Sequence, residues 1–197
     1  MATQAAQVRK MFGSIARRYD IANHLLSCGM DFYWRRYAAK VVADWRPHSI
    51  ADLATGTGDL ALALQKKLPE AEITGVDFLF DCVTIAFGLR NLENWVAGLT
   101  EMARVLKTNG HLLVLEFSLP TMPLLRSVYR FYLHHCLPLF GSFLTGTRNA
   151  YDYLGDSIEE FPNGTVMCQL MARNGFARPT FKPLTTGIVT IYTATKR

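Results

Sequence analysis

The chain has 197 residues, half of them hydrophobic and 19% charged, which suits a globular, rather apolar protein with a real core and one domain. It contains no run of about 18 uninterrupted apolar residues, so no spanning helix is expected, and its start, Met1-Ala2-Thr3-Gln4, lacks a signal-peptide core. The formal charge of +5 suits RNA, an anionic membrane surface or no particular partner, but no long Lys/Arg block favours nucleic acid.

Residues 5–45 predict helices. Val8, Met11, Phe12 and Ile15, then Ile21, Leu25 and Leu26, then Trp34, Tyr37, Ala38, Val41 and Val42 recur near the 3.6-residue period. Ser27-Cys28-Gly29 breaks the run, and Asp31 is the expected N-cap of the helix carrying Trp34. This section reads as a helical cap in front of an α/β core.

Ile50-Ala51-Asp52-Leu53 is a short apolar run with an acid in it. It breaks into Ala54-Thr55-Gly56-Thr57-Gly58-Asp59 and resumes as the helical pattern Leu60–Gln65. Strand, tight loop and helix follow in that order. Glycines at 56 and 58 permit positive φ and let a ligand approach the backbone, with the N–H groups of the new helix facing it. The spacing also fits a dinucleotide fingerprint. Asp52 argues for a cationic amino-acid moiety rather than a diphosphate. The next run, Ile73-Thr74-Gly75-Val76-Asp77, ends in an acid placed to accept ribose hydroxyls. Together these features resemble the S-adenosylmethionine-dependent methyltransferase superfamily.

Phe80–Phe87 reads as another buried strand, yet only Phe78 and Leu79 separate it from Asp77. Parallel neighbours need a crossover of a dozen residues or more. An internal segment is therefore expected to be absent near residues 78–80. After the strand comes Ala86-Phe87-Gly88-Leu89-Arg90-Asn91, which is not the proline- and aromatic-rich clamp of nucleic-acid amino methylation. Leu92–Leu106 is helical in pattern, Thr108-Asn109-Gly110 stops it, and His111–Ser118 is a core strand. Residues 121–145 are apolar almost all round, with Arg126, Arg130, His134 and His135 interleaved. This is either a buried insertion helix or a greasy entrance for a lipid-like substrate. Residues 163–174 form an amphipathic helix ending at Gly175, and 178–182 and 188–195 are antiparallel strands. Cys28, Cys82, Cys136 and Cys168 show no metal spacing and read as reduced cytosolic thiols, so no metal is expected.

The predicted fold class is α/β: a Rossmann-like, doubly wound, mostly parallel sheet with one antiparallel strand near the C-terminus and an N-terminal helical cap. Within one domain, the cap covers 5–45, the core 49–118, the insertion helices 119–157 and the closing helix and strands 158–197.

More specifically, the chain resembles the C-methyltransferases of ubiquinone and menaquinone biosynthesis. Tyr19–Ser27 followed by Trp34, Phe87-Gly88-Leu89-Arg90-Asn91, and Arg104–Ser118 carry the likeness, which runs from about Val8 onward. Ala22, Asp31 and Thr108-Asn109 depart from it, where that family favours Met, His and Pro-Gly. The resemblance implies S-adenosyl-L-methionine as cofactor. Gly56, Thr57 and Gly58 would line its methionine portion, Asp77 its ribose and Phe78 its adenine; Ala86 and Asp52 would lie at its methionine end. It implies catalytic roles for Arg90, Asn91 and Tyr19. Arg90 is too basic to be a conventional base but can stabilise a quinolate or orient a water. It could instead pair with Asp20 or Glu93, and Tyr19 could only pack. The implied substrate is a prenylated naphthoquinol, with a benzoquinol as alternative. A cytoplasmic location with peripheral contact at the inner membrane, no nucleic acid and a homodimer left open complete the expectation. An NAD-linked oxidoreductase and a non-catalytic cofactor-binding module are the readings from other classes.

Overall fold

The structure, a computed structural model, describes residues 25–55, 58–73, 80–145 and 149–197. The expected helices before residue 25 lie outside these. Helix α1 (Met30–Asp44) buries Trp34, Ala38, Ala39 and Val42 along one side, the stripe expected from the sequence. Its N-cap is Gly29, in left-handed backbone at φ 74°, not Asp31. Asp31 lies inside the first turn, where it accepts from Ser27 Oγ at 2.8 Å and pairs with Arg35.

The sheet has six strands in the order β2-β1-β3-β4-β6-β5. Strands β1 (Ser49–Leu53), β2 (Glu72–Ile73), β3 (Phe80–Ala86) and β4 (Leu106–Phe117) run parallel. Strand β6 (Val189–Lys196) is antiparallel to both its neighbours, β4 and β5 (Phe176–Leu184). One reversed strand in an otherwise parallel sheet is the predicted arrangement. Ile50 is flanked by Ile73 on one side and Cys82 on the other. The chain therefore passes from one side of β1 to the other with only residues 74–79, outside the described set, between β2 and β3.

Alternation along the strands sends neighbouring side chains to opposite faces. Val83, Ile85, Leu112 and Val114 pack with α3 (Trp95–Val105) and α7 (Gly164–Arg173). Cys82, Leu113 and Leu115 pack with α1 and α2 (Asp59–Lys67). The sheet is thus covered on both faces, which is why its strands read as nearly unbroken apolar runs. The Asn94 side chain caps α3 by accepting from the Ala97 N–H at 3.0 Å. Where the sequence predicts a stop at Thr108–Gly110, the chain is already in β4. A register shift between Phe80 and Cys82 absorbs these residues, with Asn109 at φ 63°. The exposed edge strand β5 carries Pro179 and Pro183, residues that blunt an edge against further pairing.

Between β4 and α7 the chain builds a helical layer. Helix α4 (Pro123–Phe131) continues through a π turn (Tyr132–Cys136) into α5 (Leu137–Thr145), and α6 (Asn149–Glu160) returns against them. Pro138 has no N–H to donate to His134, and its ring would strike that carbonyl; widening the ladder to a π turn relieves the conflict. Tyr129, Leu133 and Leu137 are buried against Ala150, Tyr151, Leu154 and Ile158. The opposite side of α4 and α5 is open, so this segment is neither wholly buried nor wholly free.

Candidate active site

The carboxyl ends of β1 and β3 meet where β1 has β2 on one side and β3 on the other, the switch point at which α/β sheets bind ligands. Both strands end in residues of left-handed backbone, Ala54 at φ 54° and Phe87 at φ 57°. The two turns touch. A Cβ added to Gly88 would lie 2.6 Å from that of Ala54, so only glycine lets the strand ends approach this closely.

Asp52 stands beside Thr84 in the β1–β3 register. Its Oδ1 accepts from Thr84 Oγ1 at 2.6 Å and its Oδ2 from Thr55 Oγ1 at 2.8 Å. Burial raises the carboxyl pKa, with the two hydroxyls and Arg35 pulling the other way. Gly58, at φ 82°, starts α2, and nothing lies within 4 Å of the position its Cβ would take. Asp59 follows, 3.7 Å from the Arg35 guanidinium. A partly desolvated carboxylate, an open glycine and a helix N-terminus together suit a zwitterionic amino-acid group. Ala86 ends β3, and Phe87 packs its ring at 4.6 Å from Phe117, with Arg35 5.6 Å above it.

Arg90 and Asn91 lie in a short 3-10 turn, Leu89–Asn91, just beyond. Arg90 is buried. Nη1 donates to Glu116 Oε1 at 2.9 Å and to the Phe87 carbonyl at 2.6 Å, and Nε donates to Ser157 Oγ at 3.3 Å. Among the described residues its ion-pair partner is Glu116, itself fully buried, rather than Glu93; Asp20 lies outside those residues. The Asn91 amide donates to the Phe87 carbonyl at 3.3 Å and accepts from the Tyr153 hydroxyl at 3.2 Å. Burial raises the Tyr153 pKa. A cavity of about 530 Å³ opens here, lined by Arg90, Asn91, Trp95, Tyr153 and Glu160 among others. Asp52 and Gly58 do not line it; Arg90 and Asn91 do.

The structure therefore gathers Asp52, Gly58, Ala86, Arg90 and Asn91 around two touching strand ends. Tyr19, Gly56, Thr57, Asp77 and Phe78 lie outside the described residues. Sequence reading missed Thr84, Glu116 and Tyr153. Glu116 carried a signal, a lone acid in an apolar strand that demands a cation. Thr84 and Tyr153 carried none, because their roles come from cross-strand register and helix packing. Among the described residues, no group of three or more His, Cys, Asp and Glu side chains could hold a metal ion.

Residues 1–79 and 71–196 match the ubiE/COQ5 methyltransferase family. The chain belongs to that family. Within it, the chain is 37% identical over 229 residues to a demethylmenaquinone methyltransferase of Bacteroides fragilis, covering 98% of this chain and 94% of that one. It is 37% identical over 233 residues to a Geobacter protein named ubiquinone/menaquinone biosynthesis C-methyltransferase, covering 100% and 99%. That alignment of 233 positions holds all 197 residues of this chain, so 36 positions have no counterpart here. Among solved structures, a Thermotoga maritima methyltransferase described as a possible histamine N-methyltransferase superposes with TM-score 0.60 at 13% identity, covering 96% of this chain and 100% of that one. Human N-acetylserotonin methyltransferase, in complex with SAM, gives 0.58 at 16%, covering 95% and 58%. At such identities the likeness is one of fold.

Proposed function

We propose that this ubiE/COQ5 family member is an S-adenosyl-L-methionine-dependent C-methyltransferase converting a demethylmenaquinol to the menaquinol. The observation that carries the reading is the match, along essentially the whole chain, to relatives named demethylmenaquinone methyltransferase. A benzoquinol of ubiquinone biosynthesis is the second substrate, since other relatives carry both quinones in their names.

The residues present fit the methionine end of the cofactor. Asp52 would hold the ammonium, Gly58 would give backbone access and Ala86 would border the reacting end; by motif position Gly56 and Thr57 would serve the methionine portion, Asp77 the ribose and Phe78 the adenine. When bound, S-adenosylmethionine supplies a methyl group on a sulfonium, open to in-line attack. A quinol ring carbon becomes a good nucleophile once the adjacent hydroxyl loses its proton. Arg90, fixed by Glu116, supplies positive charge for the quinolate oxygen. Asn91, with Tyr19, orients the water that accepts the proton, and Tyr153 holds the Asn91 amide.

Calorimetric titration with S-adenosylhomocysteine, with NAD as control, tests the cofactor. Turnover of a short-tailed demethylmenaquinol tests the reaction. Binding of S-adenosylhomocysteine alone, weakened in Asp52→Asn, is expected; no binding sinks the reading.

We also infer that the protein carries a segment, between about Asp77 and Phe80, that this sequence does not contain. The short link between two strands flanking β1 supports this, as do the 36 unmatched positions and the family match split into two stretches that overlap at 71–79. The intact mass of the protein made from its own gene should exceed 22.1 kDa; a mass of that value rejects the inference.

A further inference from the structure

A zwitterionic amino-acid group needs a cation as well as an acid, and helix α1 brings one to the strand ends. The mostly buried Arg35 side chain leaves α1 so that its guanidinium lies 5.6 Å above the Phe87 ring, just past β3, and 3.7 Å from Asp59, in the first turn of α2. Its charge also reaches the Asp52 carboxyl. The two ends of the guanidinium are engaged differently. Nη1 donates to Asp31 Oδ2, one turn back on the same helix. Nη2 stands 3.7 Å from Asp59 Oδ2, close enough for attraction but beyond hydrogen-bond distance. Among the described residues Nη2 donates no hydrogen bond, and the open position at Gly58 leaves room beside it at the start of α2. Asp31 is itself fixed. Its buried carboxylate accepts from Ser27 Oγ at 2.8 Å and lies in the first turn of α1, where the helix favours negative charge. The family that the sequence resembles favours His here, which brings no negative charge to the guanidinium.

We propose that Arg35 binds the carboxylate of the cofactor's methionine portion through Nη2, and that Asp31 is the positioning residue that sets it there. The inference rests on the S-adenosylmethionine reading of the site. Asp31, Asp52 and Asp59 stand against one guanidinium, an excess of acid matched by the ammonium and sulfonium of that cofactor. The carboxylate is left for Arg35 and the N–H groups that open α2, two kinds of donor suited to an anion. A long arginine stem loses rotamer freedom when its head is held. Tying Nη1 to Asp31 removes that freedom before the ligand arrives, so less affinity is lost on binding.

The test is calorimetric titration of the protein made from its own gene with S-adenosylmethionine and with its decarboxylated form, which lacks only the carboxylate. The parent should bind the first about tenfold or more tightly than the second. In Arg35→Met that preference should shrink to about threefold or less, through loss of S-adenosylmethionine affinity alone. The double variant Asp31→Asn/Arg35→Met, which strands no acid, carries the same expectation where Arg35→Met does not fold. Asp31→Asn should weaken S-adenosylmethionine by about three- to tenfold and leave the decarboxylated form unchanged. In turnover it should raise KM for S-adenosylmethionine with kcat unaltered, because the carboxylate is held alike before and during transfer. A preference retained without Arg35, or equal weakening of both ligands, overturns the role of Arg35. Unchanged affinity in Asp31→Asn, or equal weakening of both ligands, overturns that of Asp31. A parent that binds the two forms equally refutes the proposal alone, whereas a parent that binds neither refutes the cofactor reading and the proposal with it.

Discussion

Substituting Glu116 by Gln isolates the buried pair under the site while nearly preserving its volume. Glu116 Oε1 accepts from Arg90 Nη1 at 2.9 Å and from the Phe117 N–H at 3.0 Å, and Oε2 accepts from the Arg90 N–H at 3.2 Å. A glutamine amide offers one oxygen for these donors. Either orientation points an N–H at another N–H and leaves the buried Arg90 charge without its counter-ion. Removing one partner of a buried pair costs about 3–5 kcal/mol. With a urea dependence of about 2–3 kcal/mol/M for a chain of this size, the unfolding midpoint should fall by about 1–2.5 M. Urea denaturation followed by tryptophan fluorescence reads this directly. The double variant Arg90→Met/Glu116→Leu should regain part of that loss, since no charge is stranded although the Arg90 and Phe117 N–H groups lose this acceptor. A midpoint within about 0.3 M of the parent in Glu116→Gln would refute the account of Arg90 as a guanidinium held by this carboxylate.

Three further outcomes are expected. Gly88→Ala places a Cβ 2.6 Å from that of Ala54 and 3.2 Å from Ile85 Cγ1, so it should part the two strand ends and weaken S-adenosylhomocysteine binding by about tenfold in calorimetry. Gly141→Ala would bring a Cβ within 2.5–2.6 Å of the Tyr151 ring; a loss of about 1–3 kcal/mol in denaturation, with unchanged cofactor affinity, is the expected pattern. Hydrogen bonding from Arg130, helped by His134, holds the Glu159 carboxyl down to about 2, against about 4.3 in an unfolded chain. A lowered carboxylate pKa stabilises the fold above the unfolded value and loses that contribution as pH falls through the folded one. Glu159→Gln should therefore be less stable than the parent at pH 7, by at most about 1 kcal/mol because the pair is largely exposed. The difference should shrink between about pH 4.3 and pH 2.

Much of the architecture was legible because each strand of the core is buried on both faces. Val83–Ala86 and Leu112–Leu115 therefore appear as apolar runs that few other elements produce. Helix α1 was legible by period and Gly175 as a terminator, its φ of 93° matching that role. The failures are instructive in the same terms. Asp31 has the right residue type for a cap, but Gly29 takes a backbone conformation an aspartate would not adopt cheaply, and the acid instead serves Ser27 and Arg35. For the site, strand-end acids and glycines declare themselves in sequence. The partner of Arg90 sits 26 residues away in the next strand, and only pairing of β3 with β4 brings it there. Similarly, the apolar segment 121–145 left two readings open because its inward and outward residues are alike in kind; the π turn that sorts them leaves only Pro138 as a trace.

The reversed strand β6 has a consequence for how the chain is made. It lies between β4 and β5, bonded to both along its whole length. During synthesis β5 emerges first and finds no place at the sheet, because its seat is formed by a strand not yet translated. The α7–β5 unit must wait in solution, its prolines discouraging adventitious pairing, until residues 189–196 clear the ribosome and slide in beside β4. A stop codon anywhere in that stretch would remove more than a strand; it would strand its predecessor as well and uncover the edge of β4.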